Sequence, residues 1–420
     1  MSPTPRVFFG WWVTLAFAAM VFISTGVRFT IGPFLKPMVA DLAIDRASYS
    51  LAVAVGLFMY GAFIPLVGWI VDRIGARPVT IVGTLLLAAS VAAGGLVTSL
   101  WQLYVLHGVA MALGLAATGH VVASAVVTRW FSRRRATALS VLGGASMAGM
   151  SLLVPVVMGL ILAVGWRATY GVIGAGLLAL MLPLAIWVVR DSPESMGLAP
   201  DGDAAEPGSG PAPASERTDV GAAVQTVPFW QLAGALSTCG FTMSLLSAHG
   251  VPMLTDHGYQ PMVASWALGV LGGSSVAFAL GLGALADRIG CRPVLAWIYG
   301  GRAFVVAALF LVRDDPAALM GVAVLGGATM GGTFAMTSAL TATIFGRYSV
   351  GSVFGTMFLI HQTGAALGSW LGGALFEATG GYGAAFAAGA VILAAASVLT
   401  MTVDVRPRAT PALSPVAGGR

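Results

Sequence analysis

Apolar residues run along this chain in blocks of about 20 to 29 positions, separated by short polar gaps. A helix of such length crosses the hydrocarbon core of a bilayer, roughly 30 Å thick. Twelve blocks are long enough: residues 10–35, 49–71, 78–98, 100–128, 136–164, 168–189, 228–254, 262–286, 293–312, 317–345, 350–377 and 383–403, predicted here as spans 1 to 12. The blocks are unbroken rather than alternating apolar and polar, which favours helices over an outer-membrane barrel. The first is too long, and lacks the small-residue cleavage site, to be a removed signal peptide.

Residues 190–227 form the one long polar stretch, with five prolines and seven acids against two bases. That composition predicts a disordered cytoplasmic linker. It divides the chain into a six-helix bundle over residues 1–189, a second over 228–405, and a tail over 406–420. The bundles repeat each other. Gly68-Trp-Ile-Val-Asp72-Arg73-Ile-Gly75-Ala-Arg77-Pro78 matches Gly283-Ala-Leu-Ala-Asp287-Arg288-Ile-Gly290-Cys-Arg292-Pro293. Phe131-Ser-Arg matches Phe345-Gly-Arg, and Gly165-Trp-Arg-Ala-Thr-Tyr170 matches Gly381-Tyr-Gly-Ala-Ala-Phe386, at nearly the same offset. An internal duplication of six-span units with a central site is a transporter architecture.

Composition narrows the class. Hydrophobic residues make up 58% of the 420 and charged residues 9%, where a soluble globular chain carries about 25% charged residues. The net charge of +5 does not point to nucleic acid, because the basic residues sit in the gaps between spans. With the N-terminus inside, cytoplasmic segments hold Arg6, Arg73, Arg77, Arg129, Arg133, Arg134, Arg135, Arg190, Arg217, Arg288, Arg292, Arg347, Arg406, Arg408 and Arg420. The outer loops hold Lys36, Arg46, Arg167 and Arg313. The positive-inside rule then sets both termini in the cytoplasm. Two cysteines, Cys239 and Cys291, make neither a disulfide framework nor a metal cluster. No nucleophile motif or catalytic carboxylate pair can be assembled, so neither an enzyme nor a cofactor or metal is expected.

The repeated Gly-x-x-x-Asp-Arg-x-Gly-x-Arg segment resembles the loop 2–3 signature of the major facilitator superfamily, and the resemblance covers the whole chain. It implies an all-α membrane protein of twelve transmembrane helices in two pseudo-symmetric six-helix bundles. It also implies a gating role for Gly68, Asp72, Arg73, Gly75 and Arg77, and for Gly283, Asp287, Arg288, Gly290 and Arg292. Asp72 lies at the negative end of a helix, where a lone carboxylate is disfavoured, so it needs an arginine or another helix N-terminus as a breakable latch. The monocarboxylate-porter branch and its bacterial relatives are similar at Gly10-Trp11-Trp12, Phe34-Leu-Lys36, Trp130-Phe-Ser-Arg133-Arg134-Arg135, Ala145-Ser146-Met-Ala-Gly149 and Gly165-Trp166-Arg167. The acidic lead before the first tryptophan is missing, and span 8 lacks the Asp/Arg pair that animal members of the branch use in coupling.

Arg28 and Arg302 are the only charged residues well inside predicted spans, and no acid accompanies them there. A central arginine costs about 2.5–3.5 kcal/mol on insertion scales and stays protonated. Arg28, some 22 Å along span 1 from Val13 by helical rise, either snorkels outward or meets an anionic substrate, whose carboxylate the planar guanidinium suits. Arg302 is either a second substrate contact or a structural tie to a neighbouring span. His361 is the expected proton site, or a neutral histidine bonded to a carbonyl, and Gln362 a hydrogen-bond partner to substrate or to the backbone. His249, a further candidate substrate contact, precedes Gly250 and Pro252, a predicted helix break and outer gate. Tyr60 is a hydrogen-bond donor to substrate or a packed aromatic.

The expectation is therefore a multi-pass secondary transporter of the inner (plasma) membrane, monomeric and working by alternating access. Its cargo is a small organic anion, a monocarboxylate in the favoured reading, with proton symport as a further expectation. The alternatives are an exporter of hydrophobic or drug-like compounds, and a non-transporting sensor of the same fold.

Overall fold

The computed structural model describes residues 8–131, 134–199, 201, 218–346 and 350–406. Residues 200 and 202–217 of the expected linker and 407–420 of the tail lie outside these residues, as do Arg6, Arg133, Arg217, Arg347, Arg408 and Arg420 of the charge count. The described ends of the linker carry the short helices Pro193–Met196 and Val220–Ala223.

Every regular element among the described residues is helical. Nine helical stretches there are long and apolar enough to cross a membrane. One of them, Thr137–Val188, turns at Gly165 (φ +80°) and is spans 5 and 6. Val227–Asp256 and Val350–Thr379, spans 7 and 11, complete the twelve. Those two carry polar residues such as Ser244, His249, His361 and Gln362 on buried positions, because they meet each other at the centre of the molecule rather than lipid.

The packing repeats with the sequence. Span 1 packs along span 5 and span 7 along span 11, one pair inside each half. Span 2 packs on span 11 and span 5 on span 8, the two seams between the halves. Exchanging the halves turns each statement into its partner. Small residues set the approach: a Cβ on Gly149 would run into the Phe22 carbonyl, and one on Gly240 or Gly368 into those of His361 or Phe241. The two signature loops also share one turn. Gly75 (φ +89°, ψ 162°) and Gly290 (φ +90°, ψ 155°) close the helices Arg46–Ile74 and Pro261–Ile289 and open the next, a left-handed conformation that glycine adopts without strain.

Helix breaks fall where the sequence pattern does not place them. Span 7 runs unbroken through Gly250 and Pro252, which corrects the break expected beside His249. A proline this near a helix end disturbs little backbone bonding. Spans 1, 4 and 10 are interrupted, span 1 at Thr30 between Phe9–Phe29 and Ile31–Leu42. Span 4 parts at Gly119, between Met111–Thr118 and His120–Trp130. Span 10 parts at Gly331 and Gly332 (φ +85°), between Pro316–Met330 and Thr333–Phe345.

Each half has its own apolar core, and they interleave at the seams. Met150, Val154 and Met158 of span 5 belong to the core of the second half, while Phe358 and Ala365 of span 11 pack against that of the first. Outward-facing tryptophans mark two rims. Trp69, Trp187, Trp230 and Trp297 lie toward the face carrying the signature loops, and Trp101 and Trp266 toward the other, as expected of interfacial belts. These are the basic face and the opposite face below.

Candidate functional site

At mid-depth, four sequence-predicted residues come together where the halves meet. Arg28 on span 1 lays its guanidinium over the Tyr60 ring of span 2, 4.6 Å from the centroid. Its Nη2 donates to Gln362 Oε1 of span 11 at 3.4 Å, longer than a usual N–H···O bond. The same oxygen lies 2.9 Å from His361 Nδ1. A carbonyl oxygen only accepts, so the imidazole proton in the neutral ring sits on Nδ1. His361 Nε2 is buried with no hydrogen-bond partner among the described residues. Gln362 Nε2 spans to the Leu57 carbonyl at 3.4 Å, again across the seam. Gln362 is thus a junction between a cation of the first half and an imidazole of the second. Around Arg28 lies a small cavity lined by residues of the first half, among them Val53, Leu57, Tyr60, His107, Met111 and Leu115.

Arg302 stands apart from this cluster, inside the second half and fully buried. It donates from Nε to the Thr329 carbonyl at 2.9 Å, and from Nη2 to that carbonyl, the Met330 carbonyl and Thr333 Oγ1. Nη1 reaches Cys239 Sγ at 2.8 Å. These acceptors surround the break in span 10, whose carbonyls lack their next helical turn. The arrangement is a structural tie.

His249 lies in the seal between this level and the opposite face. Its Nε2 donates to the Ser369 carbonyl at 2.8 Å and its Nδ1 faces Tyr382 Oη at 3.3 Å. Ser369 Oγ donates to the Ser50 carbonyl across the seam. Beyond it, Lys36 and Arg46 of the first half clamp Asp256 of the second at 2.6 and 2.7 Å. The backbone N–H of Arg46 donates to Glu377 at 2.9 Å. Burial alone would raise the Asp256 carboxyl; hydrogen bonds from Arg46 and Lys36 outweigh it and hold the group below its ordinary value. Toward the basic face no such clamp appears among the described residues. There a Cβ added to Gly143 or Gly144 of span 5, Gly283 of span 8 or Gly355 of span 11 would find nothing within 4 Å. Among the described residues the halves are clamped together at the opposite face, and at the basic face these glycines have open space beside them.

A sequence model described as Major Facilitator Superfamily matches residues 17–314 and, in a second match, 232–419. The chain belongs to the major facilitator superfamily. Among its relatives is the uncharacterized MFS-type transporter YcxA of Bacillus subtilis, 25% identical over 91% of each chain. Monocarboxylate transporter 13 of Bos taurus is 26% identical over 93% of this chain and 88% of its own. Monocarboxylate transporter 4 of Rattus norvegicus is 25% identical over 94% and 82%. The fold is similar to that of a bacterial homologue of the human lysosomal transporter Spinster, solved inward-facing and unoccupied, with a TM-score of 0.67, 16% identity and 95% of each chain covered. The protein is a multi-pass membrane transporter of this superfamily.

In this major facilitator the signature loops are tied within their own halves. Arg77 Nη2 donates to the Ile186 carbonyl and Arg292 Nη1 to that of Val403. Asp191, just after span 6, caps the start of span 3 by accepting from the Ala76 and Arg77 backbone N–H groups. Arg73 stacks on Trp69 at 3.8 Å, Arg288 is exposed and Gly68 has open space beside it. The side chains of Asp72 and Asp287 lie outside the described residues. Sequence reasoning missed the clamp on Asp256, though Lys36, Arg46 and Asp256 were visible as charges at span ends. It also missed Phe354 and Phe358, whose spacing from His361 sets all three along one side of span 11.

Proposed function

We propose that this transporter carries a small organic anion, a monocarboxylate, across the plasma membrane. In this reading Arg28 is the counter-charge, and the two six-helix halves rock about the seam so that the site faces each side in turn. The carrying observation is that Arg28, inside the membrane, has one long hydrogen bond and a ring face but no carboxylate among the described residues. A guanidinium so placed has bidentate donors to spare, and a substrate carboxylate fits them. The names of the monocarboxylate transporters among the relatives support the same class.

Proton symport is the finer part of the proposal. The unpartnered Nε2 of His361 is a lone pair one residue from the Gln362 junction, placed to take a proton as the anion arrives. The two signature loops act as latches for the basic face, which we place in the cytoplasm with both termini, in the state opposite to this one. The test is uptake of labelled lactate, pyruvate and other carboxylates into proteoliposomes, with and without a pH gradient. Gradient-driven accumulation that Arg28→Gln abolishes supports both parts. Flux only against preloaded anion removes His361 as proton site. A lipophilic cation carried at full affinity by Arg28→Gln protein overturns the anion reading in favour of an exporter.

A further inference from the structure

We propose that the cargo is a carboxylate with an aromatic body, bound with its head on Arg28 and its ring against an aromatic wall of the second half. The inference rests on the anion reading above and adds what the rest of the molecule must be.

The wall is built from one side of span 11 and the start of the second segment of span 10. Phe358 stacks on His361, centroids 5.4 Å apart and planes 16° from parallel. Phe334 meets His361 at 5.1 Å, Phe358 at 5.9 Å and, edge-on, Phe354 at 6.5 Å. The same side of span 11 carries Gln362, Ser369 and Gly373, all of which touch span 2. Phe358 also packs against the core of the first half. Phe354 and Phe358 therefore continue the seam toward the basic face, where Gly355 has open space beside it. Phe334 keeps 40% of its surface exposed.

Opposite stands Arg28 over Tyr60. Arg28 lies over a ring of the first half and shares its seam with the rings of the second, while Arg302, the other cation near His361, spends its donors on the span 10 carbonyls, Thr333 and Cys239. The one cation with donors left suits a single carboxylate carrying a flat apolar group. Offset and edge-on ring pairs add to the gain from apolar burial. An acetate-sized anion would satisfy Arg28 and leave the rings in water. The partnerless Nε2 of His361 marks the wall as unfinished on its polar side too.

The experiment is competition against a labelled carboxylate in proteoliposomes of the full-length protein, using phenylacetate, acetate and the neutral phenylacetamide. Phenylacetate should compete at least about tenfold better than acetate. Phe334→Ala should collapse the phenylacetate-to-acetate ratio toward one, and Phe334→Tyr should restore most of it. Equal competition by the two acids, or an unchanged ratio in Phe334→Ala protein of normal thermal stability, overturns the aromatic inference and leaves the anion reading standing. Phenylacetamide competing as well as phenylacetate, in wild-type and Arg28→Gln protein alike, instead overturns the anion reading.

Discussion

Arg28 and Arg302 are the same residue at similar depth in the same bilayer, and they solve the problem of a buried charge in opposite ways. Arg302 is enclosed by acceptors from one half: two backbone carbonyls, a hydroxyl and a thiol. Arg28 is incompletely enclosed and is shared between halves through a bond of 3.4 Å. A group whose partners all move with it holds a structure together. One whose partners lie on both sides of a moving seam, and do not satisfy it, is available to a ligand. Buried charge alone marks both residues; only the completeness of the surrounding shell separates them.

The comparison breaks first on stability. Arg302→Leu removes a charge but strands the Thr329 and Met330 carbonyls at the break in span 10, each unsatisfied group costing about 1–3 kcal/mol. The expected outcome is a loss of several kcal/mol, read as a large fall in Tm or in the yield of monodisperse protein in detergent. Arg28→Gln should leave Tm nearly unchanged. It should weaken the anion by about ten- to a hundred-fold, the worth of a charge-assisted hydrogen bond, read as KM in proteoliposomes. Arg28→Lys should fall between, since it keeps the charge and loses the fork. If Arg28→Gln unfolds the protein and Arg302→Leu spares it, the assignment of roles is reversed.

A double-mutant cycle sharpens the Arg302 side. Gly332 sits at φ +85°, where a Cβ is strained by about 1–3 kcal/mol. Gly332→Ala should therefore destabilise by that amount alone. Combined with Arg302→Leu it should cost less than the sum, because both changes damage one break and its ties. Additive losses in Tm or chemical unfolding would mean that Arg302 supports something other than the break.

The fold was legible because its signals are coarse. Long apolar runs, basic gaps and two copies of a ten-residue signature survive any uncertainty about side chains. The site was half legible. Arg28, Tyr60, His361 and Gln362 could be picked out because polar groups are rare in membrane spans, and they do meet. Arg302 was picked for the same reason, though its contacts are internal, since sequence shows the charge and not its neighbours. No break fell beside Pro252, since proline near a helix end is cheap. Breaks fell at Thr30, at Gly119 and at Gly331–Gly332, and at the last of these the contacts of Arg302 take over the freed carbonyls. The clamp of Lys36 and Arg46 on Asp256 joins residues more than two hundred positions apart, which no local pattern encodes.

That clamp supplies the smallest effect and the finest contrast, because Arg46 is a third kind of arginine, paired with a carboxylate at the membrane edge. Such partly exposed pairs are worth about 1 kcal/mol or less. Asp256→Asn should accordingly shift the balance toward the state open to the opposite face by no more than about fivefold. The readout is the alkylation rate of a cysteine placed at Ser369, in protein otherwise lacking cysteine. The sign of the pH effect follows from the Asp256 carboxyl being held below its ordinary value, 3.8. The clamp is whole above that range and is lost only as pH falls through the lowered value. Between pH 5 and 8 Asp256 does not titrate, so any pH dependence of transport in that window must survive Asp256→Asn, while His361→Gln should flatten it. A pH profile flattened by Asp256→Asn instead would move the proton from the centre of the molecule to its outer clamp.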